Sequence, residues 1–321
     1  MEYVFLAAAC ICFSMQFIFS KLFQQRTDGT IHASMWSSIL SGLSMFAIVF
    51  IMNGFRIGFN WPSAALASLY AFCSIVCTGA SLIGMASTSV AVISLYTLLG
   101  GVVLPFFYGI LFLGEKPSPF RWTGAALLVL AAVVPYVINL SSAKKTGVQK
   151  SQPEEKEKTG PKGKLKAGIC CAIVFITNGL ISIATSAATR IDEPIGSNDF
   201  LLLGTLIRIV CSAVILVPLI LKKRSRSPLP VDPRTNSAVG LKAFLILFMF
   251  SFFYAVLNGA GNIFSLKCAA TMDASLQFPI ISAACIIFTA LIGLVCFKEK
   301  PSKGDLAGIG LAIAGIVFTI F

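Results

Sequence analysis

Apolar residues occur in ten long runs separated by short polar stretches, and this alternation is the main pattern of the chain. Each run is close to the ~20 residues that a helix needs to cross a hydrocarbon layer of about 30 Å. Because lipid offers no partners for backbone N–H and C=O groups, the runs are predicted to be helices and not strands. The third and fourth runs nearly meet, and we place the split at Ser87. The predicted spans are 3–22, 33–52, 62–86, 88–113, 120–140, 165–189, 199–221, 241–266, 274–297 and 304–321.

Composition favours a multi-pass membrane protein over a soluble one. The 321 residues are 57% hydrophobic and 12% charged, and the mean hydropathy is +0.88. Soluble domains carry about 25% charged residues, so this chain has too few charges to cover a soluble surface. The first span starts at residue 3 without a basic segment before it, and we expect no cleaved signal peptide.

The net charge of +12 is distributed unevenly between the two faces of the membrane. If the ten spans alternate in direction, 19 Lys and Arg residues fall on one face and 5 on the other. By the positive-inside rule the basic face is cytoplasmic, which puts both termini outside. The basic charge is therefore a topological signal, and nucleic acid is not the expected partner.

A polar segment divides the chain in the middle. Residues 141–164 are rich in Lys, Glu, Gly and Pro and show no apolar periodicity, so they are predicted to form a disordered, charged cytoplasmic linker. The linker separates residues 1–140 from residues 165–321. The ten Cys fall mostly inside apolar runs and His32 is the single His, so we expect reduced thiols, no metal site and no cofactor.

The two halves share an internal repeat. Residues 114–118, Gly-Glu-Lys-Pro-Ser, recur as Lys-Glu-Lys-Pro-Ser at 298–302, an offset of 184. At this offset 8 of the 29 positions in 109–137 are identical without a gap. Each half contains five spans, and five is odd, so the second half enters the membrane in the opposite sense. Duplicated halves of inverted topology are typical of secondary transporters, which bind substrate near the midplane between the halves.

On these features the chain resembles the drug/metabolite transporter superfamily, specifically its ten-helix members with two EamA repeats. The resemblance rests on two five-helix repeats, each with a Glu-Lys-Pro-Ser turn before its fifth helix. It implies an integral secondary transporter of the plasma membrane that moves small organic metabolites, such as amino acids or drugs, outward by alternating access. In the turn we expect Pro at an early helical position, and we expect structural roles for Glu115 and Glu299.

The first span is also similar to that of the small multidrug-resistance branch, with Tyr3 and Leu6 near its start and Lys21 at its end. That branch carries a Glu midway along this helix, which exchanges protons for cationic drugs. Here Phe13 holds the place, beside Ser14, and no acid lies in the middle of any predicted span. A proton–carboxylate mechanism and a cationic-drug substrate are therefore not expected.

Polar residues inside the spans are the candidates for a substrate site, because they usually face the bundle interior. Ser and Thr stripes fit close helix packing as well as ligand binding, whereas Asn and Gln are costlier to leave unpaired. The predicted substrate-binding residues are Gln16, Tyr96, Asn178, Arg208, Tyr254, Asn258, Asn262 and Gln277.

Arg208 is distinctive among these candidates because it is a charge deep inside a span. It lies about 13 Å from one end of the seventh span at ~1.5 Å per residue, which is close to the midplane. We expect its face to be internal and to include the neighbours one turn away, which are Gly204, Thr205, Cys211 and Ser212. Two interpretations stay open for Arg208: attraction of an anionic or zwitterionic solute, and hydrogen bonding between helices.

The same residues leave other functions and assemblies open. An exchanger of phosphorylated or nucleotide-linked solutes is the alternative transporter, and a non-transporting membrane scaffold is the alternative outside transport. An enzyme is not expected, since no His–acid pair or metal motif is present in the sequence. Gly304, Gly308, Ala312 and Gly315 make a small-residue face on the last span, which predicts helix packing and leaves monomer and homodimer open.

Overall fold

The computed structural model describes residues 2–27, 30–114, 118–145, 161–188, 190–191, 195–226, 237–269, 274–299 and 302–320. Within these residues every regular element is a helix, so the predicted all-α fold class is confirmed. Each predicted span falls on one helix. The ten helices are α1 (Glu2–Gln25), α2 (Ile31–Met52), α3 (Trp61–Ser87), α4 (Val90–Leu113), α5 (Pro119–Lys145), α6 (Pro161–Ala188), α7 (Ser197–Arg226), α8 (Ser237–Ala269), α9 (Ala274–Cys296) and α10 (Lys303–Ile320).

Seven of the described helices contain a segment long and apolar enough to cross a membrane: α1 to α4 and α6 to α8. Shorter apolar segments lie in α5 (Pro119–Val134) and α9 (Ile280–Cys296). The predicted disordered linker is wrong at both of its ends, because α5 continues to Lys145 and α6 begins at Pro161. Its middle, residues 146–160, lies outside the described residues.

The predicted split between the third and fourth spans is confirmed, and side-chain capping explains it. Helix α3 ends at Ser87, and α4 begins at Val90. Ser89 caps the start of α4, since its Oγ accepts the backbone N–H of Val92 at 3.3 Å. The backbone N–H of Thr88 donates to the carbonyl of Gly84 and closes the last turn of α3. Two apolar helices therefore meet through a connection of only two residues.

The described residues that flank the repeated turn behave alike in both halves. The residue that follows α4, Gly114, has φ of 67°, and Lys298, which lies 184 positions later, has φ of 51°. Both residues adopt the left-handed conformation that commonly ends a helix. The equivalent serines then cap the next helices, because Ser118 Oγ accepts the N–H of Arg121 and Ser302 Oγ accepts the N–H of Asp305.

Serines take the capping positions in front of the fifth helix of each half. Helices α5 and α10 begin at Pro119 and Lys303, directly after Ser118 and Ser302. In α10 the Asp305 carboxylate also accepts the backbone N–H of Ser302 at 2.8 Å. The motif prolines 117 and 301 lie outside the described residues, so their early helical position stays a prediction.

The main helix contacts join the two halves, and they pair equivalent helices of the two halves in the same way. The most extensive contacts join α5 to α10, α1 to α8, and α3 to α6. If each helix is replaced by the one five places along the chain, the α1–α8 pair becomes the α6–α3 pair, and the α5–α10 pair maps onto itself. The packing is therefore consistent with two equivalent five-helix units that pack mainly against each other.

Small residues allow the closest of these helix contacts. A Cβ on Gly315 of α10 would lie 2.9 Å from Cγ of Leu128 and 3.0 Å from the carbonyl of Gly124, both on α5. The predicted packing of the small-residue face against a neighbouring helix is thus confirmed. Where α4 crosses α6, a Cβ on Gly100 would overlap the backbone carbonyl of Phe175.

Candidate functional site

A central cavity of about 180 Å³ lies between the two halves of the chain. Its wall comes from α1 to α4 of the first half and from α6 to α8 of the second half. Most of its lining side chains are polar or aromatic, although the helices that supply them are apolar overall. Five of the predicted substrate-binding residues line it, and they are Gln16, Asn178, Arg208, Tyr254 and Asn258.

The guanidinium of Arg208 crosses from α7 to two helices of the first half. Its Nη2 donates to Ser41 Oγ at 2.7 Å and to the Ser38 carbonyl at 3.2 Å, both on α2. Its Nη1 donates to Ser74 Oγ on α3 at 3.2 Å. Arg208 therefore bonds helices together and lines the cavity at the same time, so both interpretations of this residue stay open.

The positive charge of Arg208 has no acidic partner within the described part of the chain. A guanidinium carries five N–H donors, and the bonds to α2 and α3 use three of them. The Nε atom is buried and makes no hydrogen bond to a described residue. The aromatic hydroxyls of Tyr70 and Tyr254 are close enough to interact electrostatically with Arg208. The cavity wall thus presents one guanidinium surrounded by neutral groups.

The neighbours of Arg208 on α7 explain how it reaches the interior. Gly204 lets α7 approach α3, since a Cβ there would lie 2.7 Å from the ring of Tyr70. Ser212 donates to the hydroxyl of Ser38 on α2 at 3.1 Å. Thr205 is buried and lines the cavity. The prediction is wrong for Cys211, which is exposed. It lies two turns after Gly204 on nearly the same side of α7, beyond the close contact that Gly204 makes with the Tyr70 ring.

Two carboxamide arrangements contribute further polar groups to the wall. Asn258 Nδ2 donates to Gln16 Oε1 at 2.7 Å, which joins α8 to α1. Asn178 Nδ2 donates to the Thr97 carbonyl at 2.7 Å, which joins α6 to α4. This bond fixes the amide orientation and leaves Asn178 Oδ1 as an acceptor on a cavity-lining side chain.

Of the remaining predicted residues, Tyr96 is not brought to the cavity. The Tyr96 side chain is buried outside the cavity lining, and its hydroxyl donates to the Ala132 carbonyl on α5. This bond turns the ring toward α5, which spacing along α4 alone does not indicate. The side chains of Asn262 and Gln277 lie outside the described residues.

The sequence interpretation missed the contribution of α3. Tyr70, Ser74, Cys77, Ser81 and Met85 of this helix all line the cavity. Their separations of three and four residues put them on one helical face, so the signal was present in the sequence. Aromatic rings complete the wall where α1 and α8 meet, and the rings of Phe19 and Phe250 there lie at a centroid distance of 6.4 Å.

A model of the EamA-like transporter family matches residues 1–137 and 168–321. The chain belongs to the EamA-like transporter family. The two matched segments are consistent with two EamA repeats, and the family fold has ten transmembrane helices. The protein is therefore a multi-pass membrane transporter and not an enzyme, as the sequence predicted.

A solved structure supports the same fold for this EamA-like chain. The alignment has a TM-score of 0.51 and covers 99% of this chain and 95% of the other, whose title reads "Crystal structure of protein". The two sequences are 14% identical, so the similarity concerns the fold alone. No curated protein matches the chain significantly.

Proposed function

We propose that this EamA-like transporter moves small organic anions or zwitterions, such as amino acids, outward across the cell membrane by alternating access. The observation that carries the proposal is Arg208, a guanidinium on the wall of the central cavity with no acidic partner within the described residues. Serine residues of α2 and α3 hold it in place, and helices of both halves meet around it.

The charge of Arg208 favours an anionic partner. A cation at membrane depth costs several kcal/mol or more unless other groups compensate it. The bonds to Ser41, Ser74 and the Ser38 carbonyl reduce this cost, but they leave a full positive charge facing neutral side chains. A carboxylate matches the planar geometry of a guanidinium and neutralises it. An anionic group of the substrate is the natural partner.

A second polar group favours zwitterions over simple anions. Asn178 Oδ1 is an acceptor, and an ammonium group carries donors only. A substrate whose carboxylate binds Arg208 and whose ammonium group donates to Asn178 Oδ1 would satisfy both of these cavity groups. The aromatic and thioether groups of Phe19, Phe250 and Met45 on the same wall suit an apolar remainder of the molecule.

The size of the cavity favours small substrates. Its volume of about 180 Å³ is close to that of an engineered apolar cavity of about 150 Å³ that accommodates benzene. A nucleotide-linked sugar is much larger and carries two or more negative charges. The lining contains one guanidinium, which favours a single carboxylate over the alternative of a phosphorylated substrate.

A thermal-shift screen of the purified full-length chain tests this proposal. Ligands that bind the folded state raise the melting temperature by mass action, so weak binders register at high concentration. The panel contains amino acids, simple carboxylates, nucleotides, sugar phosphates and cationic drugs. We expect stabilisation by members of the first two groups, and stabilisation by cationic drugs alone would contradict the proposal.

Substitution of Arg208 separates specific binding from general salt effects. In the Arg208→Ala variant the stabilising ligand should lose its effect. The matched control is Arg56→Ala, since Arg56 is exposed between α2 and α3 and does not line the cavity. A scaffold without transport activity is distinguished by uptake in proteoliposomes, which it would not support.

A further inference from the structure

One aromatic side chain of the cavity lining lies near the end of α1 that the charge pattern assigns to the basic face. Phe23 lines the cavity and is only 2% exposed. It packs in an apolar cluster with Leu40 of α2 and Leu82 of α3, and Trp36 and Phe250 lie against this cluster. We call Phe23 and this cluster the Phe23 plug. Its position suits closure of the cavity toward the connection between α1 and α2.

A buried ion pair lies at the same end of α1 as the plug. Lys21, two residues before Phe23, has its Nζ 3.2 Å from Oε1 of Glu299, which follows α9. The two side chains are 10% and 18% exposed. Lys21 Nζ also donates to the Met85 carbonyl at 2.6 Å, and Met85 itself lines the cavity. The ion pair is thus attached both to the cavity wall and to the second half of the chain.

Glu299 is held in position from two sides. Its second carboxylate oxygen, Oε2, accepts the backbone N–H of Val90, the first residue of α4, at 2.9 Å. Its backbone N–H donates to the Gly293 carbonyl of α9 at 3.0 Å. The carboxylate therefore joins the ends of α1 and α4 to the turn between α9 and α10, and Lys21 adds the end of α3 through the Met85 carbonyl.

We propose that the Lys21–Glu299 pair is a latch between the two halves that keeps the Phe23 plug closed. Lys21 belongs to the first repeat and Glu299 to the second, so the pair must break when the halves separate at this face. Both side chains lie near a helix end, where water can solvate them once they separate. The latch stabilises the closed state without preventing opening. This inference does not depend on which solute is carried.

The accessibility of Cys77 to a thiol reagent reports opening of the cavity, and the measurement needs no substrate. Cys77 lines the cavity, and alkylation by iodoacetamide, a small neutral reagent, can be quantified at this position by mass spectrometry of its peptide. The rate is compared among the full-length chain, Lys21→Met, Glu299→Gln and the double variant. The matched control is Arg26→Gln, which removes an exposed cation near the same end of α1.

We expect each single latch variant to raise the Cys77 alkylation rate about tenfold, the factor that corresponds to a loss of about 1.4 kcal/mol from the closed state. The double variant should not exceed the larger single effect, because both changes remove one interaction. Phe23→Ala should raise the rate while the ion pair stays intact. Unchanged rates in Glu299→Gln, or an equal rise in Arg26→Gln, would overturn the latch.

Loss of folding is distinguished from opening by two readouts. A folded latch variant keeps a monodisperse elution profile, and alkylation of the deeply buried Cys285 stays slow. If Glu299→Gln does not fold, Glu299→Asp retains the charge on a shorter side chain and serves in its place. An increase at Cys77 without one at Cys285 supports the latch, whereas equal increases at both positions count against it.

Discussion

Asn258 on α8 donates its Nδ2 hydrogen to Oε1 of Gln16 on α1 over 2.7 Å, which joins side chains 242 positions apart in the chain. The two residues lie on the wall of the cavity and belong to different repeats. This bond is one of several that tie the halves together through groups that also face the substrate space. Contacts of this kind must rearrange when the transporter changes state.

The Gln16–Asn258 bond should contribute measurably to stability. Replacing either partner leaves an amide group without its partner, and we expect a loss of about 1–3 kcal/mol for Gln16→Met or Asn258→Leu. The double variant should lose less than the sum of the single variants, because it removes both polar partners. Apparent melting temperatures in detergent provide the measurement. Strictly additive losses would show that the two amides do not interact.

Ser41 should act through Arg208. Its hydroxyl accepts the shortest of the guanidinium hydrogen bonds, and bonds to charged groups contribute about 1.5–3 kcal/mol. We expect Ser41→Ala to weaken binding of the stabilising ligand about tenfold or more. The control is Ser68→Ala, since Ser68 is exposed and bonds the Ala64 carbonyl within its own helix. Equal ligand affinities of the two variants would contradict a positioning role for Ser41.

Gly100 should be essential for the crossing of α4 and α6. A Cβ there would meet backbone atoms of Phe175, which cannot rotate away as a side chain could. We expect Gly100→Ala to lower the melting temperature strongly or to prevent folding. Gly310→Ala is the control, because a Cβ on Gly310 would meet nothing within 4 Å. That change should be neutral, or stabilising by about 0.5–1 kcal/mol, as expected in a helix.

The positive-inside assignment predicts the sidedness of two loops. Arg56→Cys should react with a membrane-impermeant maleimide in intact cells, whereas Arg26→Cys should react only after the membrane is permeabilised. Both positions are exposed, so access to the reagent does not limit the comparison. The unsubstituted chain provides the background from the native cysteines. The opposite pattern of labelling would invert the proposed topology.

The helices could be predicted well because a membrane span is recognised from about 20 consecutive apolar residues, without knowledge of distant contacts. The Ser87 split could be identified because Ser89 caps α4 by a local hydrogen bond. The interior position of Arg208 was predictable for a related reason, since a charge facing lipid at this depth is unfavourable. These features depend on residues close together in the chain.

The composition of the site was harder to predict because it depends on helix rotation and on distant partners. Tyr96 lies on the same helix as Thr97, yet its hydroxyl bonds α5 while Thr97 lines the cavity. The cavity-lining residues of α3 around Ser74 are spaced at helical intervals. They include no charged or amide side chain, so nothing in the sequence separates them from an ordinary packing face. The pairing of Lys21 with Glu299 depends on how the halves dock, which neither residue's neighbourhood in the sequence indicates.

Counterflow in proteoliposomes tests the central claim about Arg208 most directly. Vesicles containing the full-length chain are loaded with the stabilising amino acid or carboxylate, and uptake of the labelled solute is compared with that of Arg208→Ala, Arg208→Lys and the control Arg56→Ala. We predict at least a tenfold loss in Arg208→Ala, little recovery in Arg208→Lys because an ammonium lacks the planar fork, and normal counterflow in the control. Unchanged counterflow in both Arg208 variants would contradict the account.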